Sequence, residues 1–154
     1  MLSAAVSVNL VTYFEDVGSE AYKWATSLPV GVLSLDFTRG DSLSLLKEHG
    51  FPADKVLGAG IIDGRSPWAL EPTKAVSLVD EITSIVKHEA GLRMQASCPL
   101  QFVPWDVSCE EALTSAKAGG DVLSFAVQKV GEIVALAAAL PAIAAGKQVS
   151  ERVM

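Results

Sequence analysis

Residues 56–68, Val-Leu-Gly-Ala-Gly-Ile-Ile-Asp-Gly-Arg-Ser-Pro-Trp, limit most sharply what this chain can fold into. The first half is apolar, with Gly58 and Gly60 spaced by one residue. A strand buried on both faces reads this way, with glycines where another chain segment must come close. The second half turns polar at once. Asp63-Gly64-Arg65 sets opposite charges beside a residue free to adopt positive φ, and Pro67 blocks an immediate helix. An apolar strand that delivers charged groups at its C-terminal end belongs to parallel α/β proteins.

The rest of the chain repeats that alternation. Residues 8–14 have strand propensity and end at Glu15-Asp16-Val17-Gly18. Ser19 is placed to cap a short helix over 20–27, which Pro29 stops. A second strand over 30–37 runs into Thr38, Arg39 and Gly40. A helix capped by Asp41 or Ser42 then reaches His49, with Gly50 behind it. Pro72 opens a third helix in which Val76, Val79, Ile82, Ile85 and Val86 recur at helical spacing, ending near His88 and Gly91. A fourth strand is expected over 92–98, followed by an irregular loop over 99–120. The last helix is expected to be capped by Asp121 and to stop before Pro141. Strand and helix alternate four times, which predicts a parallel sheet with right-handed crossovers. Residues 1–146 make one domain and 147–154 a polar tail.

Composition removes several classes of function. At 154 residues, half of them hydrophobic, the chain is one globular domain. A net charge of -6 with no Lys/Arg cluster argues against nucleic acid as a partner. Two cysteines, Cys98 and Cys109, suit a reducing, cytoplasmic setting rather than a disulfide scaffold. The first residues carry no basic charge and so do not read as a signal or transit peptide. The most apolar run, 133–146, is expected to be too short for a membrane span and to be broken by Pro141.

Five charged residues fall at or just beyond strand C-termini: Asp36, Arg39, Asp63, Arg65 and Asp106. They have two readings. The arginines pair with the aspartates and fix the loops, or they form a mouth for a small anionic ligand. No metal site is expected. Zinc needs three or four converging ligands, yet His49 and His88 stand at helix C-termini, at the opposite end of a βα unit from Cys98. Ser97-Cys98 lacks a histidine placed as a base. Gly58 and Gly60 lie inside a strand, so they are not a phosphate-binding loop.

Taken in order, several short motifs resemble cobalamin-independent methionine synthase. They are Thr12-Tyr13-Phe14, Leu35-Asp36-Phe37-Thr38-Arg39, Asp63-Gly64-Arg65 with Trp68, Ser97-Cys98, Val103-Pro104 with Asp106, and Phe125-Ala126 followed by Gln128-Lys129 and Glu132. The resemblance covers about residues 10–140 and points to the second half of that family's N-terminal barrel. It implies a parallel (β/α)4 half of a TIM-type (β/α)8 barrel. It also implies a family reaction, methyl transfer from methyltetrahydrofolate polyglutamate to homocysteine on zinc. Ser66-Pro67 and the Pro99-Leu100-Gln101-Phe102 run depart from the family pattern. The family's zinc ligands and homocysteine pocket belong to a C-terminal barrel that these residues do not match.

The sequence therefore predicts a structural half with no cofactor of its own and no methyl transfer in isolation. The alternative is a non-catalytic binding or assembly subunit derived from a truncated barrel. Four strands out of eight would leave two open edges and apolar inward faces. A homodimer or a complementary barrel half is the expected partner.

Overall fold

A computed structural model describes residues 7–86, 91–110 and 122–146. Four strands, β1 (Asn9–Val11), β2 (Val32–Asp36), β3 (Val56–Ile62) and β4 (Leu92–Ala96), alternate with α1 (Gly18–Ser27), α2 (Ser42–His49), α3 (Pro72–Ile85) and α4 (Ala126–Ala144). The strands are all parallel and ordered β1-β2-β3-β4. Register runs straight across: Asn9 faces Val32, Val32 faces Val56, and Leu57 faces Leu92. An irregularity between Gly60 and Ile62 lets β3 bend as it reaches its polar end. This is the expected (β/α)4 half-barrel.

The core lies between the sheet and its helices. Leu33, Leu35, Leu57, Ala59 and Met94 pack against Tyr22, Leu46, Val79, Ile82, Leu136 and Ile143 in one buried cluster. The other face of the sheet is unexpectedly polar. The Ser34 hydroxyl lies 3.0 Å from Asn9 Oδ1 and 3.1 Å from the Gln95 side-chain amide, spanning the sheet. One hydroxyl proton serves one of these partners, and an amide turned over donates back from the other. Gly58 leaves the room: a Cβ there would strike Ser34 Oγ and come within 2.6 Å of Gln95 Oε1. Among the described residues, Val11 is the only exposed large hydrophobic on a strand. The apolar inward face expected from the sequence is therefore replaced by hydrogen-bonded polar side chains.

Element ends differ from expectation for local reasons. β1 stops at Val11, and Phe14 and Glu15 then take φ of 65° and 84°. That turn lets the Glu15 N–H donate to Asp36 Oδ2 at 3.2 Å. α1 begins at Gly18, whose N–H donates to Asp16 Oδ1. Ser19 is not the cap and instead hydrogen-bonds His49 Nε2 at 2.8 Å. α2 ends as expected at Gly50, with φ of 69°.

α4 begins only at Ala126, behind Phe125, whose N–H donates to Gln128 Oε1. It then continues through Pro141 to Ala144. The missing N–H of Pro141 leaves the Ala137 carbonyl without its helical donor. Both residues are exposed, so water can serve that carbonyl. Pro141 thus does not interrupt the helix. By length and composition alone α4 is long enough and apolar enough to cross a membrane, contrary to the reading of residues 133–146. In this fold it packs against α3, β3 and β4. The expected cap Asp121, the helix end at His88 and the tail 147–154 lie outside the described residues.

Candidate functional site

The strand C-termini gather four of the five charged residues singled out by the sequence. Asp36 is 2% exposed, and its carboxylate accepts from the backbone N–H groups of Glu15, Thr38 and Arg39 and from the Thr38 hydroxyl. It is a knot for two loops, with no oxygen to spare for a ligand. Arg39 donates to Asp63 Oδ2 at 3.0 Å, and Asp63 Oδ1 accepts from the Arg65 N–H. Structural pairing describes these three residues well.

Arg65 differs. Its guanidinium carbon sits 4.9 Å from the centre of the Phe14 ring, and among the described residues no carboxylate pairs with its side chain. Phe14 in turn meets Tyr13 at 4.9 Å and Phe102 at 5.4 Å, edge to face. All three rings are exposed. The rim therefore presents a cation backed by aromatic surface, a combination suited to a planar or anionic group. Asp106 belongs elsewhere. It accepts from Ser108 N–H and from Gln128 Nε2 at 2.8 Å, tying the loop after β4 to the first turn of α4. The Gln128 hydrogen bond, first, and the Ser108 contacts hold its carboxyl below the usual range.

Cys98 stands at the end of β4 against Gly64, where a Cβ would meet its carbonyl oxygen at 2.7 Å. Cys98 is buried, and burial pushes its thiol up, which disfavours the thiolate. Among the described residues no group of three or more His, Cys, Asp or Glu could hold a metal ion. His49, at the far end of the βα unit, stacks obliquely on Tyr22 and bonds Ser19. Among the described residues, Cys98 and His49 stand at opposite ends of the βα unit and do not converge on one point.

Two residues with a larger structural role than the sequence suggested are Lys129 and Glu132. Lys129 is 1% exposed and donates from Nζ to the Trp68 carbonyl at 3.1 Å. Burial holds its ammonium below the usual lysine range, against the opposing pull of Glu132 and Asp63. Glu132 Oε1 accepts from Leu70 N–H at 2.9 Å, and its Oε2 is buried without a partner among the described residues. With Ala69 N–H to Val122 O and Ser124 N–H to Pro67 O, these bonds strap the loop after β3 to the start of α4. The sequence signal was available: the only two charges in an otherwise apolar helix face inward.

Four parallel strands, helices on one side and a charged, aromatic rim at the strand C-termini define a (β/α)4 half-barrel of the TIM type. The sequence profile of the cobalamin-independent synthase N-terminal domain matches residues 2–87, and the chain belongs to that family. It is 50% identical over 137 residues to the 5-methyltetrahydropteroyltriglutamate–homocysteine methyltransferase of Thermosynechococcus vestitus, covering 89% of this chain and 17% of that protein. It is 44% identical over 140 residues to the enzyme of the same name from a Synechococcus strain, covering 91% of the chain and 18% of the relative. The Bacillus subtilis enzyme of that name is 40% identical over 135 residues. The chain thus spans about a sixth of the length of these curated relatives.

Proposed function

We propose that the chain serves as one (β/α)4 half of a methionine synthase-type N-terminal barrel, supporting methyl transfer from methyltetrahydrofolate polyglutamate to homocysteine without carrying it out. The observation behind this reading is the four-stranded parallel sheet with its alternating helices, in a chain 50% identical over 137 residues to a methionine synthase of this family. No zinc belongs to this chain in this reading, and its setting is the cytoplasm. The rim takes an anionic group through Arg65, with Phe14 and Phe102 as its aromatic floor.

Among the described residues no strand pairs with the outer edges of β1 and β4, and such edges favour a partner. A second copy placed by a twofold axis along the strands keeps every strand parallel and joins first edge to last edge twice. Sedimentation at micromolar concentration tests this: a dimer is expected, and a compact, cooperatively folded monomer overturns it. A methyl-transfer assay on the isolated chain should give no turnover. Turnover by a preparation free of the host enzyme would overturn the supporting role.

The alternative, an assembly subunit, draws on α4. Its outer face carries Val127, Val130 and Val134, all exposed, and no charge. Apolar surface of that kind favours a macromolecular partner. Recovery of a stable complex with unrelated subunits would favour this reading.

A further inference from the structure

A cleft of about 450 Å³ opens behind the rim, between the end of β3, the first turns of α3 and the start of α4. That size lies within the usual range for small-molecule pockets. Phe37, Ile62, Leu70 and Leu78 give it apolar walls. Lys129 and Glu132 also line it. The Lys129 ammonium has three donors, and the Trp68 carbonyl takes one. Glu132 Oε2 is a buried acceptor without a hydrogen-bond partner among the described residues. The loop strap described above uses one oxygen of Glu132 and one proton of Lys129, so it leaves these groups unexplained.

The charges here decide what can bind. Lys129 and Glu132 cancel, Lys74 and Glu71 pair at the cleft's edge at 2.6 Å, and Asp63 is matched by Arg39. A ligand with net charge would leave that charge uncompensated in a partly dry site, which is costly. A dipolar ligand adds a donor for Glu132 Oε2 and an acceptor for the spare Lys129 protons without unbalancing either. We propose that this cleft binds a small zwitterion with an apolar body, the chemistry of an α-amino acid with an aliphatic side chain. Its ammonium lies at Glu132, its carboxylate at Lys129, and its side chain against Phe37, Ile62 and Leu78. The site is separate from the Arg65 rim and does not depend on the role proposed for that rim.

The probe is L-leucine, titrated into the full chain by calorimetry. N-acetyl-leucine, which lacks the ammonium, and leucinamide, which lacks the carboxylate, serve as controls. Leucine should bind, and each control should bind about tenfold more weakly or worse, as expected for loss of a charge-assisted hydrogen bond. Glu132→Gln keeps an acceptor for Leu70 N–H but removes the charge, and Leu78→Trp fills the cleft without touching the strap. Both should abolish leucine binding while retaining the helical circular dichroism and a cooperative melt. No binding of leucine by the folded wild-type chain overturns the proposal. So does binding that survives in a folded Leu78→Trp variant, or leucinamide binding as tightly as leucine.

Discussion

The Phe14 ring, just past the first edge strand, meets the Phe102 ring, beyond the last one, with centroids 5.4 Å apart. Residues from the two ends of a four-stranded sheet touch only because the sheet curls and both loops lean over its concave side. Phe14 reaches that position through a backbone φ of 65°, a left-handed conformation that costs a side-chain-bearing residue about 1–2 kcal/mol. Arg65 stacks on the same ring.

Replacing Phe14 separates ring from backbone. Phe14→Ala and Phe14→Gly both lose the contacts with Phe102 and Arg65, but only glycine relieves the positive φ. The glycine variant should be more stable than the alanine variant by about 1 kcal/mol in urea melts. Equal stabilities would mean that the turn relaxes when the ring is removed.

The two glycines of β3 should respond unequally to alanine. A Cβ at Gly60 would lie 2.8 Å from the Leu35 carbonyl oxygen and 2.8 Å from the Ser97 Cα, both of them backbone atoms. At Gly58 the two nearest obstacles are Ser34 Oγ and Gln95 Oε1, side-chain ends that can rotate at the cost of their hydrogen bond, while Ser34 Cβ at 2.9 Å still requires a small shift of β2. Gly60→Ala should therefore cost about 1–3 kcal/mol, and Gly58→Ala measurably less. Thermal melts of the two single variants give the order directly.

Acid should loosen the loops through Asp16. Its carboxylate accepts from Asp41 N–H at 2.9 Å and Gly18 N–H at 2.8 Å, and these bonds, Asp41 first, lower its pKa from 3.8. A carboxyl lowered by folding adds stability that is present above the unfolded value and lost as pH falls through the folded one. Stability should thus decline below about pH 4, with Asp106 acting in the same direction. Asp16→Asn should be less stable at neutral pH and show a shallower acid decline. An unchanged decline would assign the effect to other carboxyls.

Alkali should act through Tyr22. Its buried hydroxyl donates to the Gly50 carbonyl at 2.6 Å, closing the end of α2, and burial pushes its pKa up to about 12 from 10.0. The raised value means the folded state resists ionisation. Its contribution is complete below pH 10 and disappears as pH rises towards 12. Tyr22→Phe should cost about 1 kcal/mol at neutral pH and flatten the alkaline loss. Denaturation curves between neutral pH and pH 11 check both statements.

Much of the fold was legible in the letters because βα alternation is local information. The β3 stretch, the stop at Gly50 and the proline start of α3 each depend on neighbours in sequence, and all three appear as read. The errors lie where distant residues overrule local preference. Ser19 is a good cap by type, but His49 takes its hydroxyl. Pro141 is a helix breaker by type, yet an exposed turn of a packed helix tolerates it.

The candidate site divides along the same line. The sequence alone placed Asp36, Arg39, Asp63 and Arg65 at the strand ends, because the end of a strand is fixed by where apolar letters give way to polar ones. Asp106, in the long loop after β4, is instead held at the start of α4. The sequence could not assign their roles. Asp36 is used up by Glu15 and Thr38, Asp63 by Arg39, and only Arg65 remains free of a carboxylate partner among the described residues. Hydrogen-bond capacity is spent on whichever donors the folded loops bring near, and those donors come from other strands. Lys129 and Glu132 make the point most clearly. Two charges on a helix of alanines and valines mark themselves in the sequence, but only the packing of α4 against the loop after β3 gives them their partners.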